Sequence, residues 1–505
     1  MKADFASALA RVGDPEDMID LTNLIRADIE RVRKGRAARV RGERSELVNG
    51  SMTSYVNWNI KALTFLDADA AETVLLEILN EPEYENEAAF ALVRLAKKGS
   101  TEKFIYFKQI DYKLVWEARD GRRPSEFDEE RRRRYTLAIK QRINTLLDER
   151  ARNAQTEAYN GRLKSLSIPL ASLDSRDSAE LVLHIMALPN KWDGWRRISA
   201  LNSLLFNGVQ LPTEKTLNVL NPTIEDMLAQ GLYNDQNVWL LKGCLCLLPF
   251  VDEPSIGIGR IRQVISEKKF PIYGLRDIVA AVGGSRCDEA LTFLCEIAGS
   301  VGDRLKQISE EWIKAVVALG SPESKQLLLS FIAPEADEFP GDLDRHEDDL
   351  LASYIAEIAL TEDKIMKYIL QLCDERLSHT KRLLLSKVIF RLGTLEAVVA
   401  GLKLIDDNGN PSVPHELWQA IEATFLERRP YGKTENTYTL VPQGSNEIKV
   451  KLFDLILKDE CRKKSAFALL GQIEVWRLEY GRPNNEPRHP VFDSGEMWPP
   501  IRSQA

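Results

Sequence analysis

The chain has 505 residues, of which 44% are hydrophobic and 29% charged, a balance that allows a buried core and is not typical of a disordered protein. Its net charge of -8 gives no global attraction to nucleic acid, and six cysteines in so long a chain do not form a disulfide framework. Neither a secretory signal nor an apolar stretch of the ~18 to 20 residues that cross a bilayer is recognised. We therefore expect a cytoplasmic protein with no membrane contact.

Two-helix hairpins with tight turns are predicted from the start of the chain, over residues 1–100. The apolar run Ala8–Val12 ends at the turn Gly13–Pro15, whose sequence is Gly-Asp-Pro, and a second apolar helix follows. Glycine can take the left-handed conformation that ends a helix, Asp accepts a free N–H at a helix start, and proline fits the first turn. Residues 62–96 show the same order, with Asp67 in place of the glycine.

Residues 26–55 are predicted to interrupt these hairpins with a basic, glycine-containing insertion. Its positively charged side chains include Arg33, Lys34, Arg36, Arg39 and Arg41. Basic residues at this density could contact the phosphates of a nucleic acid or an acidic protein partner. A mobile loop, or a segment that pairs with acidic neighbours within the fold, has the same composition. The sequence leaves these alternatives open.

A highly charged region is predicted to be helical over residues 101–165. The composition of its second half favours a long, exposed helix. Within it, Arg131–Arg134 directly follow the acidic residues Asp128–Glu130. Because residues three and four positions apart are neighbours on a helix, ion pairs within the helix can neutralise much of this charge.

The main helical array is predicted over residues 166–480. Tight turns between its helices are marked by small and polar residues at Gly283–Ser285, Gly320 and Gly393. The spacing between the first two turns, and about twice that spacing between the last two, agrees with helical hairpins of roughly 40 residues each. Strand signals are nearly absent, and Thr434–Gln443 is the best candidate for a short extended segment.

Two stretches of this sequence resemble a known family. Ala8–Ile25, with the sequence ALARVGDPEDMIDLTNLI, resembles the helix junction of a HEAT repeat, and Ala62–Ala96 resembles a full repeat. The resemblance to the HEAT-repeat, armadillo-like family implies an all-α chain, folded as an α-solenoid of stacked HEAT-like helical hairpins. It implies little about function, because the family includes scaffolds, transport receptors, sensors and a few enzymes.

Patterns for catalysis and metal binding are weak. Neither a GxxxxGK[ST] phosphate loop nor a HExxH zinc site is present in the sequence. In the acidic loop 334–349, a cluster of side chains could hold a divalent cation, namely Asp342, Asp344, His346, Asp348 and Asp349. A solvated loop between helices explains the same residues. We therefore expect no enzyme activity, no catalytic residues, no metal site and no cofactor.

The best candidates for contact with a partner lie where a loop leads into a helix. They are Trp192, Trp195, Arg196 and Arg197. Tryptophan and arginine are among the side chains that most often carry the binding energy of protein interfaces. A tryptophan at a helix start can also cover the core of the neighbouring repeat, and we expect this role for one of the two.

Residues 481–505 contain too much Pro, Gly and Asn for a helix, yet they carry several large apolar side chains. The last repeat of a helical array leaves one face without a neighbour. We therefore predict that Val491–Ile501 docks, without regular secondary structure, on a final hairpin formed by Ile448–Leu457 and Ser465–Tyr480. The alternative is a free peptide motif that a partner binds.

These features favour a non-catalytic scaffold, adaptor or sensor that binds another protein in a groove of the helical repeat. The C-terminal architecture also resembles the ligand-sensing helical arms of bacterial signalling or defence proteins. Two alternatives remain, a HEAT-like nucleic-acid-binding protein of the DNA-glycosylase type and a lyase-type chaperone of an enzyme. The net acidity makes nucleic acid the less favoured partner. The oligomeric state is open.

Overall fold

The computed structural model of this chain is mostly helical, which confirms the helical class predicted from the sequence. It describes residues 15–41, 60, 63–64, 68–97, 127–153, 156–190, 193–231, 235–267, 270–301, 305, 307–335, 345–405, 417, 426–431, 435–440, 445–459 and 463–480. The chain divides into two compact units, unit 1 (Met1–Phe293) and unit 2 (Leu294–Ala505).

Unit 1 contains the first eleven described α-helices and the start of the twelfth. Their bounds are α1 Pro15–Val40, α2 Ala68–Ile78, α3 Glu85–Ala96, α4 Glu129–Arg152, α5 Thr156–Leu173, α6 Ser175–Ala187, α7 Gly194–Phe206, α8 Thr213–Gln230, α9 Asp235–Leu245, α10 Pro254–Glu267, α11 Ile272–Ser285 and α12 Asp288–Val301. A short 3-10 helix at Leu248–Phe250 joins α9 to α10.

Helices of unit 1 pack against the next helix and often against the next but one. Contacts join α3 with α4 and α5, α5 with α6 and α7, α6 with α8, and α7 with α9. This alternation is the local pattern of helical hairpins packed in succession. Side chains such as Leu92, Ile139, Leu163 and Leu201 are fully buried between these helices.

Helix α1 continues through the first half of the predicted basic insertion. Residues 26–40 belong to this single 26-residue helix, so this part of the segment is not a loop between hairpins. Ile25, Ile29 and Val32 repeat at intervals of four and three residues and are buried. This apolar face packs toward α2 and explains why the basic residues, on the other faces, do not break the helix.

Helix α4 is long, as predicted for the charged region, but it is not an exposed helix. Tyr135, Ile139, Ile143 and Leu146 lie on one face and are fully buried, where α4 packs against α3 and α5. The Asp128 side chain caps the helix by accepting the N–H of Arg131. The long aliphatic stems of the arginines tolerate this burial because their charged ends reach acidic partners.

The predicted ion pairs within α4 are confirmed, and further pairs join it to α2. Arg132 lies 2.7 Å from Glu129, and Arg134 lies 2.9 Å from Glu130. Arg134 also binds Glu72 of α2, whose carboxylate accepts the hydroxyl of Tyr135 at 2.9 Å. The arginine run therefore connects two helices as well as neutralising its own.

Unit 2 contains the rest of α12, eight further described helices and one β-hairpin. The helices are α13 Ser309–Leu319, α14 Pro322–Ser330, α15 Arg345–Thr361, α16 Asp363–Leu372, α17 His379–Leu392, α18 Leu395–Gly401, α19 Ser445–Lys458 and α20 Lys463–Tyr480. The strands are β1 Leu426–Tyr431 and β2 Glu435–Leu440. The last two helices agree with the predicted final hairpin.

Two predicted tight turns have the expected geometry. Gly320 ends α13 with φ of 64°, and the Ser321 side chain then caps α14 by accepting the N–H of Ser324. Gly393 ends α17 with φ of 60°, and the Thr394 side chain caps α18 in the same way. Glycine is the residue that takes this left-handed conformation without steric cost.

The turn predicted at Gly284 lies two residues later. Helix α11 continues to Ser285, whose hydroxyl donates to the Val282 carbonyl, and Arg286 takes the left-handed conformation with φ of 55°. The serine side chain satisfies a carbonyl at the helix end and lets both glycines stay helical.

The core of unit 2 beside the first of these turns is centred on Trp312. Its ring is 2% exposed, and its Nε1 donates to the Leu294 carbonyl at 2.8 Å. Phe331 meets the ring edge-on with the centroids 6.2 Å apart. The apolar ring is therefore removed from water while its polar N–H keeps a hydrogen-bond partner.

The β-hairpin is the exception to an all-α chain. Its strands pair antiparallel from Leu426 opposite Leu440 to Tyr431 opposite Glu435. The extended segment predicted at 434–443 therefore exists as β2, but its partner strand was not predicted. Residues 481–505 lie outside the described residues, so the docking of this segment stays a prediction.

Candidate functional site

A polar cleft of about 610 Å³ opens on unit 1. It lies where the start of α3, the first half of α5 and the approach to α7 meet. Its lining includes the acidic residues Glu83, Glu85 and Glu157 and the basic residues Arg162 and Arg196. Two buried carboxylates, one on α3 and one just before α7, position the two arginines.

The first carboxylate, Glu85, is shared by two arginines from different helices. Arg162 of α5 donates to both of its oxygens, at 2.6 and 2.7 Å, and Arg142 of α4 donates to one of them at 3.0 Å. The Glu85 side chain is 3% exposed, that of Arg142 is 7% exposed and that of Arg162 is 24% exposed. Glu85 also lies in the first turn of α3, where the helix dipole favours a negative charge. We call these three residues the Glu85 cluster.

The charge of Arg162 is secured by this arrangement. Burial alone would lower the pKa of its guanidinium, but the hydrogen bonds and charge of Glu85 outweigh that effect and raise the pKa above its ordinary value. The guanidinium also lies 5.7 Å from the ring centroid of Tyr159, one turn earlier on α5. Arg162 therefore presents a permanent, oriented positive charge to the cleft.

The second carboxylate, Asp193, is shared by Lys164 and Arg196. Lys164 Nζ lies 3.2 Å from Asp193 Oδ2, and both side chains are fully buried. Arg196 binds the other oxygen of Asp193 and donates from Nε to the hydroxyl of Ser165 at 2.9 Å. We call Asp193, Lys164 and Arg196 the Asp193 cluster.

Lys164 is the least favourably placed charge of this cluster. The pKa of its ammonium group is lowered to about 8, mainly by burial and also by the nearby charges of Arg197 and Arg196, while Asp193 acts in the opposite direction. No hydrogen bond of good geometry reaches Lys164 Nζ among the described residues. Three cations thus surround one carboxylate, and positive charge is in excess behind the cleft wall.

Two residues of α5 in the wall of the cleft, Ser165 and Gly161, are also distinguished by their backbone carbonyls. Helix α5 contains Pro169 in its interior. Proline has no N–H to donate to the carbonyl four residues earlier, which is that of Ser165, a lining residue of the cleft. The Ser165 hydroxyl donates to the carbonyl of Gly161, another lining residue.

The four predicted partner-binding residues have different positions in the structure. Trp192 lies outside the described residues. The Trp195 side chain is 42% exposed, and the guanidinium of Arg196 lies 4.7 Å from its ring centroid. Arg197 is 5% exposed and donates to the Thr223 hydroxyl at 2.8 Å, so it is a core residue and not a surface contact. The structure therefore places Arg196 in the lining of the cleft and Trp195 next to Arg196.

Two of the predicted phosphate-contacting residues, Arg33 and Lys34, are paired with acids. Arg33 binds Glu81 and Glu30, which raises the pKa of its guanidinium, and Lys34 lies 3.7 Å from Glu30. The same face of the fold pairs Arg26 with Glu77. These contacts match the alternative in which the basic stretch pairs within the fold.

Three further basic residues of that set are less fully described. Arg36 and Arg39 lie on α1, and their side chains are outside the described part of the structure. Arg41 follows the helix end and is exposed. Their contact with phosphates stays a prediction.

The acidic loop considered for a metal ion lies mostly outside the described residues. Asp348 and Asp349, at its end, both bind Lys387 of α17, at 3.3 and 3.2 Å. Within the described ranges, no group of three or more His, Cys, Asp or Glu side chains is arranged to hold a metal ion.

Apart from Arg196, the residues of the two clusters were not singled out from the sequence. Lys164 did leave a signal in the sequence, because it lies among apolar residues of α5 such as Leu163 and Ile168. The structure buries all three side chains. A lysine at a core position of an amphipathic helix calls for an acidic partner. The identity of that partner, Asp193, depends on tertiary contacts.

One protein-family model matches this chain, over residues 420–499, and its description is NACHT C-terminal Alpha/Beta 2. The matched segment includes the β-hairpin, α19 and α20, which agrees with the alpha/beta class in that description. No curated protein and no solved structure matches the chain. Among the described helices, none has the length and apolar character needed to cross a membrane.

Proposed function

We propose that this chain is a non-catalytic, cytoplasmic sensor or scaffold built from a HEAT-like solenoid, and that it binds another protein while working with a NACHT-type NTPase in signalling or defence. The observation that carries the proposal is the match of residues 420–499 to a segment described as NACHT C-terminal. The 505 residues contain no phosphate-loop pattern, so the nucleotide would be bound by a different polypeptide segment. Free cysteines in the described part fit a reducing compartment.

The unit 1 cleft is the recognition surface that we assign to this function. Arg162 and Arg196 reach the cleft and are each held by a buried carboxylate. A guanidinium is suited to bidentate binding of a carboxylate. Trp195 adds an exposed aromatic face next to Arg196. An acidic protein segment that carries an apolar side chain fits this combination.

A site-specific cross-link tests the proposal in cells that naturally produce the protein. A photoreactive residue, p-benzoylphenylalanine, replaces Trp195 in the full chain. The control carries it at Leu137 on α4, which is 58% exposed and therefore at least as accessible. We expect a protein adduct at position 195 that is absent at position 137, in a complex that contains a NACHT-type NTPase.

Other results would replace the proposal. Equal adducts at both positions would remove the cleft as the binding surface. Adducts with nucleic acid, or retention on DNA that falls steeply between low and high salt, would favour the nucleic-acid alternative. A complex without a NACHT-type NTPase would leave the cleft but remove the signalling context.

The affinity for the cross-linked partner provides the quantitative test. Trp195→Ser removes an exposed aromatic anchor and its contact with the Arg196 guanidinium, but no hydrogen-bond partner of either cluster. We expect binding to weaken about tenfold or more. Leu137→Ser, the matched control, should change the Kd by less than about twofold. Isothermal titration calorimetry measures both values.

A further inference from the structure

Helix α19 has two apolar faces, of which one is covered. Ile448, Leu452 and Leu455 are buried where the helix packs against α18 and α20. On the other side, Val450 is 63% exposed, Phe453 is 52% exposed and Leu457 is 77% exposed. We call these last three residues the terminal apolar stripe.

The stripe is a continuous helical face. Its members are three and four positions apart, which places them one above the other along α19, and at roughly 100° per residue they lie almost opposite the buried face. Phe467, near the start of α20, is also 67% exposed. A helix that is apolar on opposite sides is typical of one that is covered on both. Large exposed apolar side chains at successive turns mark a binding surface more often than isolated ones do.

Residues 481–505 follow α20 directly and have the length to reach the stripe. The 18 residues of α20 span about 27 Å, at 1.5 Å per residue. An extended segment covers that distance in roughly eight or nine residues. Residues 481–490 are glycine, proline or polar, and the first large apolar residues, Val491 and Phe492, come directly after them. The apolar part of the segment therefore begins where it can lie beside α19.

The charges of the two surfaces are complementary. Lys449 and Lys451 adjoin Val450 along α19, and Asp454, the acid that adjoins Phe453, is paired with Lys458 at 3.0 Å. In the following segment, Asp493 adjoins Phe492 and Glu496 precedes Met497 and Trp498. The complete set of acids after residue 481 is Glu486, Asp493 and Glu496. Acids next to the apolar anchors favour a basic surrounding.

We propose that the terminal apolar stripe is the docking site of residues 491–501 of this same chain, with Phe492 and Trp498 as the anchoring side chains. A covalently attached segment has an effective concentration in the millimolar range, which favours it over a second copy of the chain. The proposal concerns α19 and its continuation and is independent of the unit 1 cleft.

Hydrogen exchange of the α19 amides in the full chain tests this docking. The double variant Phe492→Ser/Trp498→Ser changes only the proposed anchors, outside the helices, so the final hairpin should still fold. We expect exchange in residues 445–458 to become about tenfold faster than in the unchanged chain, because undocking removes a covering layer. Leu457→Asp should give the same acceleration, and combining both changes should add little. Leu360→Asp, at a 58% exposed position of α15, is the matched control and should leave α19 unchanged.

A peptide of residues 488–505, added to the double variant, should restore slow exchange in α19, and the same peptide with both anchors replaced should not. Unchanged exchange in the double variant would overturn the proposal. A concentration-dependent dimer that Leu457→Asp dissociates, and that the anchor variant leaves intact, would assign the stripe to a second copy. Loss of a partner without any change in α19 would identify residues 491–501 as a free motif.

Discussion

In unit 1, helices α3, α4 and α5 meet at a buried carboxylate that two guanidinium groups share, whereas in unit 2 α12, α13 and α14 meet at the ring of Trp312. The two junctions differ in what holds them. Burial of an aromatic ring stabilises a fold directly. A buried ion pair gains little net stability, because the desolvation of both charges offsets their attraction. It does fix the orientation of the two charged side chains. The charged junction is therefore better explained by the position that it gives to Arg162 than by stability.

Loss of a shared carboxylate should have the largest effect. Glu85→Gln keeps the shape of the side chain but leaves Arg142 and Arg162 without their common counter-charge, and we expect the free energy of unfolding to fall by about 3–5 kcal/mol. The control, Glu180→Gln, removes an exposed pair with Lys215 and should cost less than about 1 kcal/mol. Urea titration followed by circular dichroism measures both. Equal losses would mean that the Glu85 cluster is no different from a surface pair.

Lys164→Met tests the cost of the buried ammonium group. Because the pKa of Lys164 is lowered from 10.5 to about 8, the unfolded chain binds a proton between these pH values that the folded chain does not. The wild-type free energy of unfolding therefore rises with pH across this window, by up to about 3 kcal/mol, and methionine removes that rise. Relative to the wild type, we expect the free energy of unfolding of the variant to be highest below pH 8. This difference should shrink as the pH rises toward 10.5.

Urea titrations of both proteins over that pH range measure the difference. Cys244 and Cys373, whose pKa values burial raises to about 12, titrate in both proteins and cancel. A difference that is independent of pH would show that Lys164 keeps an ordinary pKa.

The apolar junction should respond differently. Trp312→Phe removes the donor to the Leu294 carbonyl and part of the ring, and we expect a loss of about 2 kcal/mol. Because the tryptophan carries no charge, this loss should be the same at pH 7 and pH 9. Thermal unfolding at both pH values provides the test, and a pH-dependent loss would blur the contrast between the two units.

Substitutions of glycine in unit 2 should have the smallest effect on stability. The control is a glycine whose replacement should raise the stability instead of lowering it. Gly320→Ala places a Cβ in open space but at φ of 64°, so strain alone should cost about 1 kcal/mol. Gly471→Ala lies within α20, where the Cβ also meets nothing, and should gain about 0.5–1 kcal/mol. Differential scanning calorimetry compares them, and a loss at both positions would contradict the argument from backbone conformation.

Local signals made much of the helical structure predictable. The turns at Gly320 and Gly393 follow from glycine and a capping Ser or Thr within a few residues of sequence. Arg286 could not be predicted, because nothing in a Gly-Gly-Ser-Arg sequence shows that serine will keep the helix going. Strand β1, LERRPY, lacks an alternating apolar pattern and is recognisable only with its partner β2.

The site could be predicted only in part for the same reason. Trp195 and Arg196 were found by residue type, since they are adjacent and typical of interfaces. The Glu85 cluster joins residues 57 and 77 positions apart in the sequence, and no local pattern connects them. Arg197 is of a residue type that is common at interfaces, but it lies in the core, where its side chain donates a hydrogen bond to Thr223.

The shared carboxylates have a further consequence for the strength of the binding that we propose for the cleft. Arg162 and Arg196 are already held in one orientation, by Glu85 and by Asp193 with Ser165, before any partner arrives. Free arginines lose conformational entropy on binding, at about 0.5–1.5 kcal/mol for each side chain, and these two have lost it during folding. A partner would then gain roughly tenfold to hundredfold in Kd without any additional contact. In the function that we propose, this preorganisation of the two arginines strengthens the binding of a partner in the cleft.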